Sequence, residues 1–245
     1  MNLSALLEKY RKYKSKNGQT CDICQKEIFD YPQPRVCSSC RNLLAEDKRK
    51  SCPVCGRKLV SDGVCLTCKA FRPFFEKGVS PYAYEGVIAG VINRLKNGAR
   101  YLAYFFAESM EKSFVSAMGG AFDKENAVIV CVPLAKEKRK ERGYNQAEEI
   151  AKVLKDRLGV PFLSEAVIKR RETQPQKERT GKERTKNIEG AYFVHKRKAC
   201  KGKTVILVDD IMTTGATGSE IARILYAAGA KKVYFITAAA TPEKK

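Results

Sequence analysis

From Val87 onward the apolar positions fall into blocks with two different periods. "VIAGVINRL" (87–95) and "YLAYFFAESMEKSF" (101–114) repeat their apolar residues at helical spacing and predict two helices. "AVIVCVPL" (127–134) and "TVILV" (204–208) are short continuous apolar runs, the pattern of strands buried on both faces. "NQAEEIAKVLKDRL" (145–158) predicts an amphipathic helix, and residues 166–168 a short strand. "TGSEIARILYAAG" (217–229) predicts a helix with Gly229 as its C-cap, and "KVYFITAAA" (232–240) a third buried strand. Strand, helix, strand, helix, strand is the order of an α/β domain built on a mostly parallel sheet with helices on both faces. It is assigned to residues 73–245.

The chain before Pro73 has another character. Leu3, Leu6, Leu7 and Tyr10 recur at helical spacing and predict a basic N-terminal helix within residues 1–19. Residues 20–72 contain eight of the ten cysteines and little continuous apolar sequence, so burial alone cannot give this segment a core. Those cysteines form four C-x-x-C pairs: Cys21/Cys24, Cys37/Cys40, Cys52/Cys55 and Cys65/Cys68. Two thiolates at that spacing ligate one ion from a tight knuckle, and two knuckles complete a tetrahedral S₄ site. Eight such residues make two Zn²⁺ sites. Sequential pairing and a crossed arrangement both satisfy the spacing. Four-thiolate sites leave no open coordination position, so the expected role is structural. Cys131 and Cys200 are read as ordinary residues.

Composition changes the picture in one respect. With 44% hydrophobic and 30% charged residues the chain is globular in type, yet its formal net charge is +20. Such a field favours polyanionic partners: nucleic acid, phosphorylated substrates or acidic lipid. No apolar run approaches the ~20 residues that a membrane helix needs, and the N-terminus lacks the layout of a signal peptide. Cysteine-rich sequence without an export signal points to reduced thiols or metal, hence to the cytoplasm.

The candidate chemistry lies in "TVILVDDIMTTGATGSE" (204–220). Ligands of open α/β sheets bind beyond the carboxyl ends of the strands, where Asp209 and Asp210 fall. The loop that follows, Thr213, Thr214, Gly215, Ala216 and Thr217, leads into a helix. Its backbone N–H groups and three hydroxyls suit a phosphate, and Gly215 allows close approach of the backbone. Two carboxylates beside an anion site make sense if the ligand also carries hydroxyls, as a sugar phosphate does. Paired carboxylates can also steady positive charge developing on a ribose ring.

"VILVDDIMTTGAT" is similar at every position to the motif by which type I phosphoribosyltransferases bind 5-phosphoribosyl 1-diphosphate (PRPP). The resemblance implies that Asp209 and Asp210 face the ribose hydroxyls, that residues 213–217 hold the 5-phosphate, and that Mg²⁺ bridges diphosphate and ribose. The double cysteine ribbon, "RLKNG" (94–98), "VPL" followed by "KEKRKERGYNQAEEIA" (136–151), and "RTKNIEGAYFV" (184–194) together resemble the ComF family of bacterial late competence proteins. That likeness covers nearly the whole chain. It implies a role in DNA uptake during natural transformation, on single-stranded DNA, beside a helicase-like partner, with transfer of phosphoribose if the domain is an active enzyme. It names no acceptor. A nucleobase salvage transferase and a PRPP-sensing nucleic-acid-binding regulator are the alternatives.

Basic segments complete the expectation. After "VPL" the chain resembles the loop that holds pyrophosphate, with Arg139 and Arg142 as contacts; a solvated charged turn is the plainer reading. Tyr144, Asn145 and Gln146 are costly at a helix start unless they hydrogen-bond something. Residues 169–187 are a long polar loop resembling the hood that closes over PRPP. Its basic surplus suits a nucleic-acid backbone, with Arg170, Arg184 and also Lys96 as contacts. Tyr144 or Tyr101 would offer stacking faces. His195 is read as a surface residue.

Overall fold

A computed structural model describes residues 19–28, 34–45, 47–119, 122–170, 188 and 190–243. The predicted N-terminal helix, Arg184 and most of the basic loop lie outside the described residues. The chain divides into two compact units, Met1–Lys48 and Arg49–Lys245.

In the first unit, β1 (Gln19–Thr20) pairs antiparallel with β2 (Glu27–Ile28), and α1 (Ser38–Ala45) follows. The second unit opens with the short α2 (Leu66–Ala70) and then builds a five-stranded sheet. Its strands are β3 (Lys77–Val79), β4 (Tyr82–Ala83), β5 (Ala127–Cys131), β8 (Thr204–Met212) and β9 (Lys232–Ala240). The order is β3-β9-β8-β5, with β4 also on β9, and every pairing is parallel. The central strands are buried on both faces, as continuous apolar runs require. Between them run α3 (Gly86–Lys96), α4 (Leu102–Met118), α5 (Lys136–Arg142), α6 (Gln146–Leu158), the one-turn α7 (Arg197–Cys200) and α8 (Ala216–Ala227). α4 and α6 pack on each other and on the sheet, placing Phe106, Met110, Phe114, Ile150 and Leu154 wholly inside. Ile221, Ala222 and Leu225 of α8 join Val205, Leu207 and Phe235 in a core on the other side. An antiparallel hairpin of β6 (Val167–Lys169) and β7 (Tyr192–Val194) carries the two ends of the long polar loop.

Three boundaries differ from the apolar pattern. β8 runs to Met212 rather than ending at Val208, because Ile211 and Met212 still pair with Ala239 and Ala240 of β9. The aspartates therefore lie inside the strand's last turns of pleat, not beyond it. Residues 136–142 form a helix where a loop or charged turn was expected; Gly143, at φ 79°, closes it by donating to the Arg139 carbonyl. α8 ends at Ala227, so Ala228 rather than Gly229 caps it.

The division at Lys48 also falls within the expected cysteine ribbon. Residues 52–68 are knit to the sheet: Gly78 N–H donates to the Val54 carbonyl at 2.7 Å, Leu66 N–H to Glu243 at 2.8 Å, and Glu243 N–H to the Lys58 carbonyl at 3.0 Å. No helix among the described residues is long and apolar enough to cross a membrane.

Candidate functional site

The cysteines group sequentially. Cys21, Cys24, Cys37 and Cys40 form one cluster and Cys52, Cys55, Cys65 and Cys68 the other, with the sulfurs of each within 4.8 Å of one another. The crossed arrangement is thereby excluded. Cys24 and Cys37 Sγ are 3.8 Å apart, Cys55 and Cys65 Sγ 3.7 Å. A tetrahedron of ~2.3 Å Zn–S bonds has edges of about 3.8 Å, so both donor sets fit such an ion. Backbone N–H groups point at the sulfurs, as thiolate ligands need: Ile23 and Cys37 at Cys21 (3.4 Å each), Cys65 at Cys52 (3.5 Å), Cys68 at Cys65 (3.4 Å). At Cys21 burial works upward, but backbone donors led by Cys37 outweigh it and bring the thiol down to about 7. Cys55 is brought down to about 5, chiefly by Cys68 and with help from Arg57. Cys131 and Cys200 lie buried outside both clusters, and burial pushes Cys131 up to about 12.

The two acids diverge, because neighbouring strand residues point to opposite faces. Asp210 is buried, with Lys96 Nζ, at the end of α3, 2.9 Å from its Oδ2. The contact is an ion pair. Gln146 at the start of α6 also reaches Asp210. Burial opposes the charge on Asp210, but Lys96, Asp209 and Gln146 prevail and hold its carboxyl below the ordinary carboxylate range. Asp209 is partly open to water, and its Oδ1 accepts the Asp210 N–H at 2.8 Å. Burial of its inner side, and then the Asp210 carboxylate, push Asp209 well above the ordinary range. One site thus holds an ionised, clamped acid beside one that gives up its proton reluctantly.

The loop after β8 presents donors. Gly215 (φ 83°) starts α8, Thr213 is exposed, and residues 214–217 are half-buried. Ala216 N–H leans on Thr214 Oγ1 at 3.4 Å. The N–H groups of Thr213, Thr214 and Gly215 make no hydrogen bond among the described residues. Gly218 lets α8 lie on β9: a Cβ there would sit 2.4 Å from the Phe235 ring.

The motifs that seemed separate along the chain meet here. Tyr144 donates its hydroxyl to the Leu95 carbonyl and accepts Gly98 N–H at 2.9 Å, joining "RLKNG" to "RGYNQ". It is buried, so it is a strut and offers no stacking face, contrary to the sequence expectation. Asn145 caps α6 by accepting Ala147 N–H at 3.1 Å and donates to the Val132 carbonyl at 2.9 Å. Gly190 N–H reaches Glu220 of α8 at 3.3 Å. Lys96, expected on a nucleic-acid surface, is engaged by Asp210. Arg139 pairs with Glu148 at 3.1 Å and Arg142 donates to Gln146, so both lie on α5 against α6. Arg170 is exposed with its guanidinium 3.7 Å above the Phe193 ring. Tyr101 is exposed, its hydroxyl accepting from Arg94 at 3.0 Å, and His195 is exposed as expected. Sequence reasoning missed Arg57. It is 6% exposed and donates from Nη2 to the Thr213 carbonyl at 2.7 Å. The only hint was its place directly after "CPVCG".

The phosphoribosyl transferase domain family matches residues 114–245, which hold β5, β8, β9 and the loop after β8, so this part of the chain is a domain of that class. The chain is 31% identical over 216 residues to competence protein ComFC of Bacillus subtilis (strain 168), covering 85% of each chain. It is 27% identical over 221 residues to competence protein F of Haemophilus influenzae, covering 89% of each. To DNA utilization protein YhgH of Escherichia coli (strain K12) it is 28% identical over 200 residues, covering 81% of this chain and 87% of that one. The chain belongs to the ComF family of phosphoribosyltransferase-domain proteins.

Proposed function

We propose that this protein is a cytoplasmic competence factor that handles incoming single-stranded DNA and binds PRPP with Mg²⁺ at residues 209–217. Two structural Zn²⁺ ions occupy the cysteine clusters. The names of its relatives, two competence proteins and a DNA utilization protein, support the role in transformation. One observation carries the PRPP reading: three N–H groups unengaged among the described residues, in a loop at the carboxyl end of the sheet, beside a partly open carboxylate. The N–H groups of 213–215 and the threonine hydroxyls take the 5-phosphate. Asp209, once ionised, would accept from ribose hydroxyls and would help to hold Mg²⁺. Asp210 stays clamped by Lys96 and fixes the strand end.

Excess positive charge supplies the DNA reading, with Arg170 and Tyr101 as exposed contacts among the described residues and Arg184 beyond them. A helicase-like competence protein is the expected partner. Calorimetry tests the PRPP site. Mg²⁺-dependent binding should weaken in Asp209→Asn, and Thr214→Ala should cost ~1.5–3 kcal/mol, one hydrogen bond to a charged group. Unchanged affinity in a chain carrying both Asp209→Asn and Thr214→Ala would place the site elsewhere. Release of pyrophosphate from PRPP in the presence of bases or nucleic acid would show that phosphoribose is transferred.

A further inference from the structure

We infer that Arg57 is a positioning residue that ties the phosphate loop to the second cysteine cluster, so that the loop's readiness for a phosphate depends on the metal-organised knuckle. Arg57 sits two residues after Cys55, and its carbonyl accepts Cys52 N–H at 2.8 Å. Its backbone is thus part of the knuckle turn. Its side chain leaves the knuckle and donates from Nη2 to the Thr213 carbonyl at 2.7 Å, across 156 residues of sequence. A planar trans peptide directs its C=O and N–H oppositely. Holding the Thr213 carbonyl therefore aims the Thr214 N–H, in the same peptide, away from Arg57. That N–H is one of the loop's three donors that are unengaged among the described residues. A charged donor on the carbonyl also polarises the peptide and makes the N–H a stronger donor.

The knuckle cannot shift to spare this contact. Gly56 lies so close to β3 that a Cβ would come within 2.7 Å of the Gly78 carbonyl oxygen, and a Cβ on Gly78 would meet the Cys55 carbonyl oxygen at 2.5 Å. Gly78 N–H donates to Val54 O at 2.7 Å. Arg57 is buried at 6% exposure, and its Nε has no hydrogen-bond partner among the described residues. A guanidinium is a costly group to place there for packing alone. The contact that orients it is the Thr213 carbonyl.

The inference rests on the reading of residues 213–217 as the PRPP phosphate site, and the experiment separates the two. In the zinc-loaded full chain, amide exchange at 213–217 and calorimetry with Mg²⁺ and PRPP are compared for wild type, Arg57→Met and Arg57→Lys. Arg57→Met should speed exchange at 213–217 and weaken PRPP about tenfold, with zinc content unchanged. Arg57→Lys, which keeps a charged donor, should recover part of both. Faster exchange confined to residues 52–68, with wild-type exchange and affinity at the loop, would overturn the link and leave Arg57 a packing residue. If wild type itself fails to bind PRPP, the functional reading falls, while exchange at 213–217 still decides whether Arg57 holds the loop. If Arg57→Met fails to fold, wild-type exchange at the loop in Arg57→Lys after chelation of the zinc would equally overturn it.

Discussion

The two cysteine clusters share a ligand set and a spacing, yet they differ in what surrounds them. In the first, Cys24 is exposed and Cys37 half-exposed; among the described residues Asp22 N–H donates to the Arg35 carbonyl at 2.8 Å, and the Arg35 side chain pairs with Asp22 at 3.4 Å. In the second, all four cysteines are buried within the core that includes Phe75, Met212 and Phe235. The residue after the second cysteine of each leading knuckle is left-handed. It is Gln25 (φ 62°) in the first and Gly56 (φ 78°) in the second. Glutamine pays steric strain for that conformation and keeps a side chain, which suits a knuckle facing solvent. Glycine avoids the strain and admits the strand. The same four-cysteine set therefore lies in one place within a small module and in the other within the wall of an α/β domain. What its non-ligand residues touch sets the difference.

The largest effect that can break this comparison is loss of a ligand. Cys65→Ser should remove much of the ~10–16 kcal/mol that a structural zinc contributes. That matches or exceeds the ~5–15 kcal/mol stability of a typical domain. The Arg49–Lys245 unit should lose its cooperative thermal transition, whereas Cys37→Ser should leave that transition in place and abolish protection only in residues 20–45. Equal damage from both would erase the distinction.

Next in size is the knuckle residue. Gly56→Ala combines a left-handed alanine with a backbone clash at β3 and should destabilise the sheet unit by ~2–5 kcal/mol in denaturant unfolding. Gln25→Gly relieves strain and should tighten metal retention in the first cluster by up to ~1 kcal/mol, read by chelator competition. Opposite signs at equivalent positions are the expected outcome.

The smallest effect is a pH dependence that the carboxylate pair gives the sheet unit. Asp209 is raised above, and Asp210 held below, the ordinary carboxylate range. As pH falls through the raised Asp209 value, the folded state takes up a proton before the unfolded chain does. Stability should rise over that window, down to the ordinary carboxylate range near ~4, while PRPP affinity falls because the acceptor is neutralised. The Lys96–Asp210 pair contributes at all pH above that range and is lost only below it. Asp209→Asn should flatten the affinity profile that calorimetry records above the ordinary carboxylate range.

Much of this was legible in the chain. Thiolate spacing announces a metal knuckle because the ligands are local, and buried parallel strands announce themselves as unbroken apolar runs. The donors of the candidate phosphate loop are consecutive residues, so the loop could be proposed from the sequence. What stayed hidden is non-local or lacks an apolar period. β8 gains four residues from pairing with β9, which no pattern inside β8 encodes. All seven residues of α5 are charged, so it has no stripe to detect. Tyr144 resembles a stacking platform in sequence and is a strut in space, because its partners, Leu95 and Gly98, lie on another motif. Arg57 reads as one more cation in a basic chain until its distant carbonyl is seen.

The central claim is that residues 213–217 are a phosphate site held ready by the sheet and the second cluster. Amide exchange over those residues in the zinc-loaded full chain, with and without saturating PRPP and Mg²⁺, tests it most directly. Bound phosphate should engage the N–H groups of 213–215 and slow their exchange at least tenfold, with little change in residues 20–45. Exchange at 213–217 that is the same with and without PRPP, under conditions where calorimetry detects binding, would contradict it.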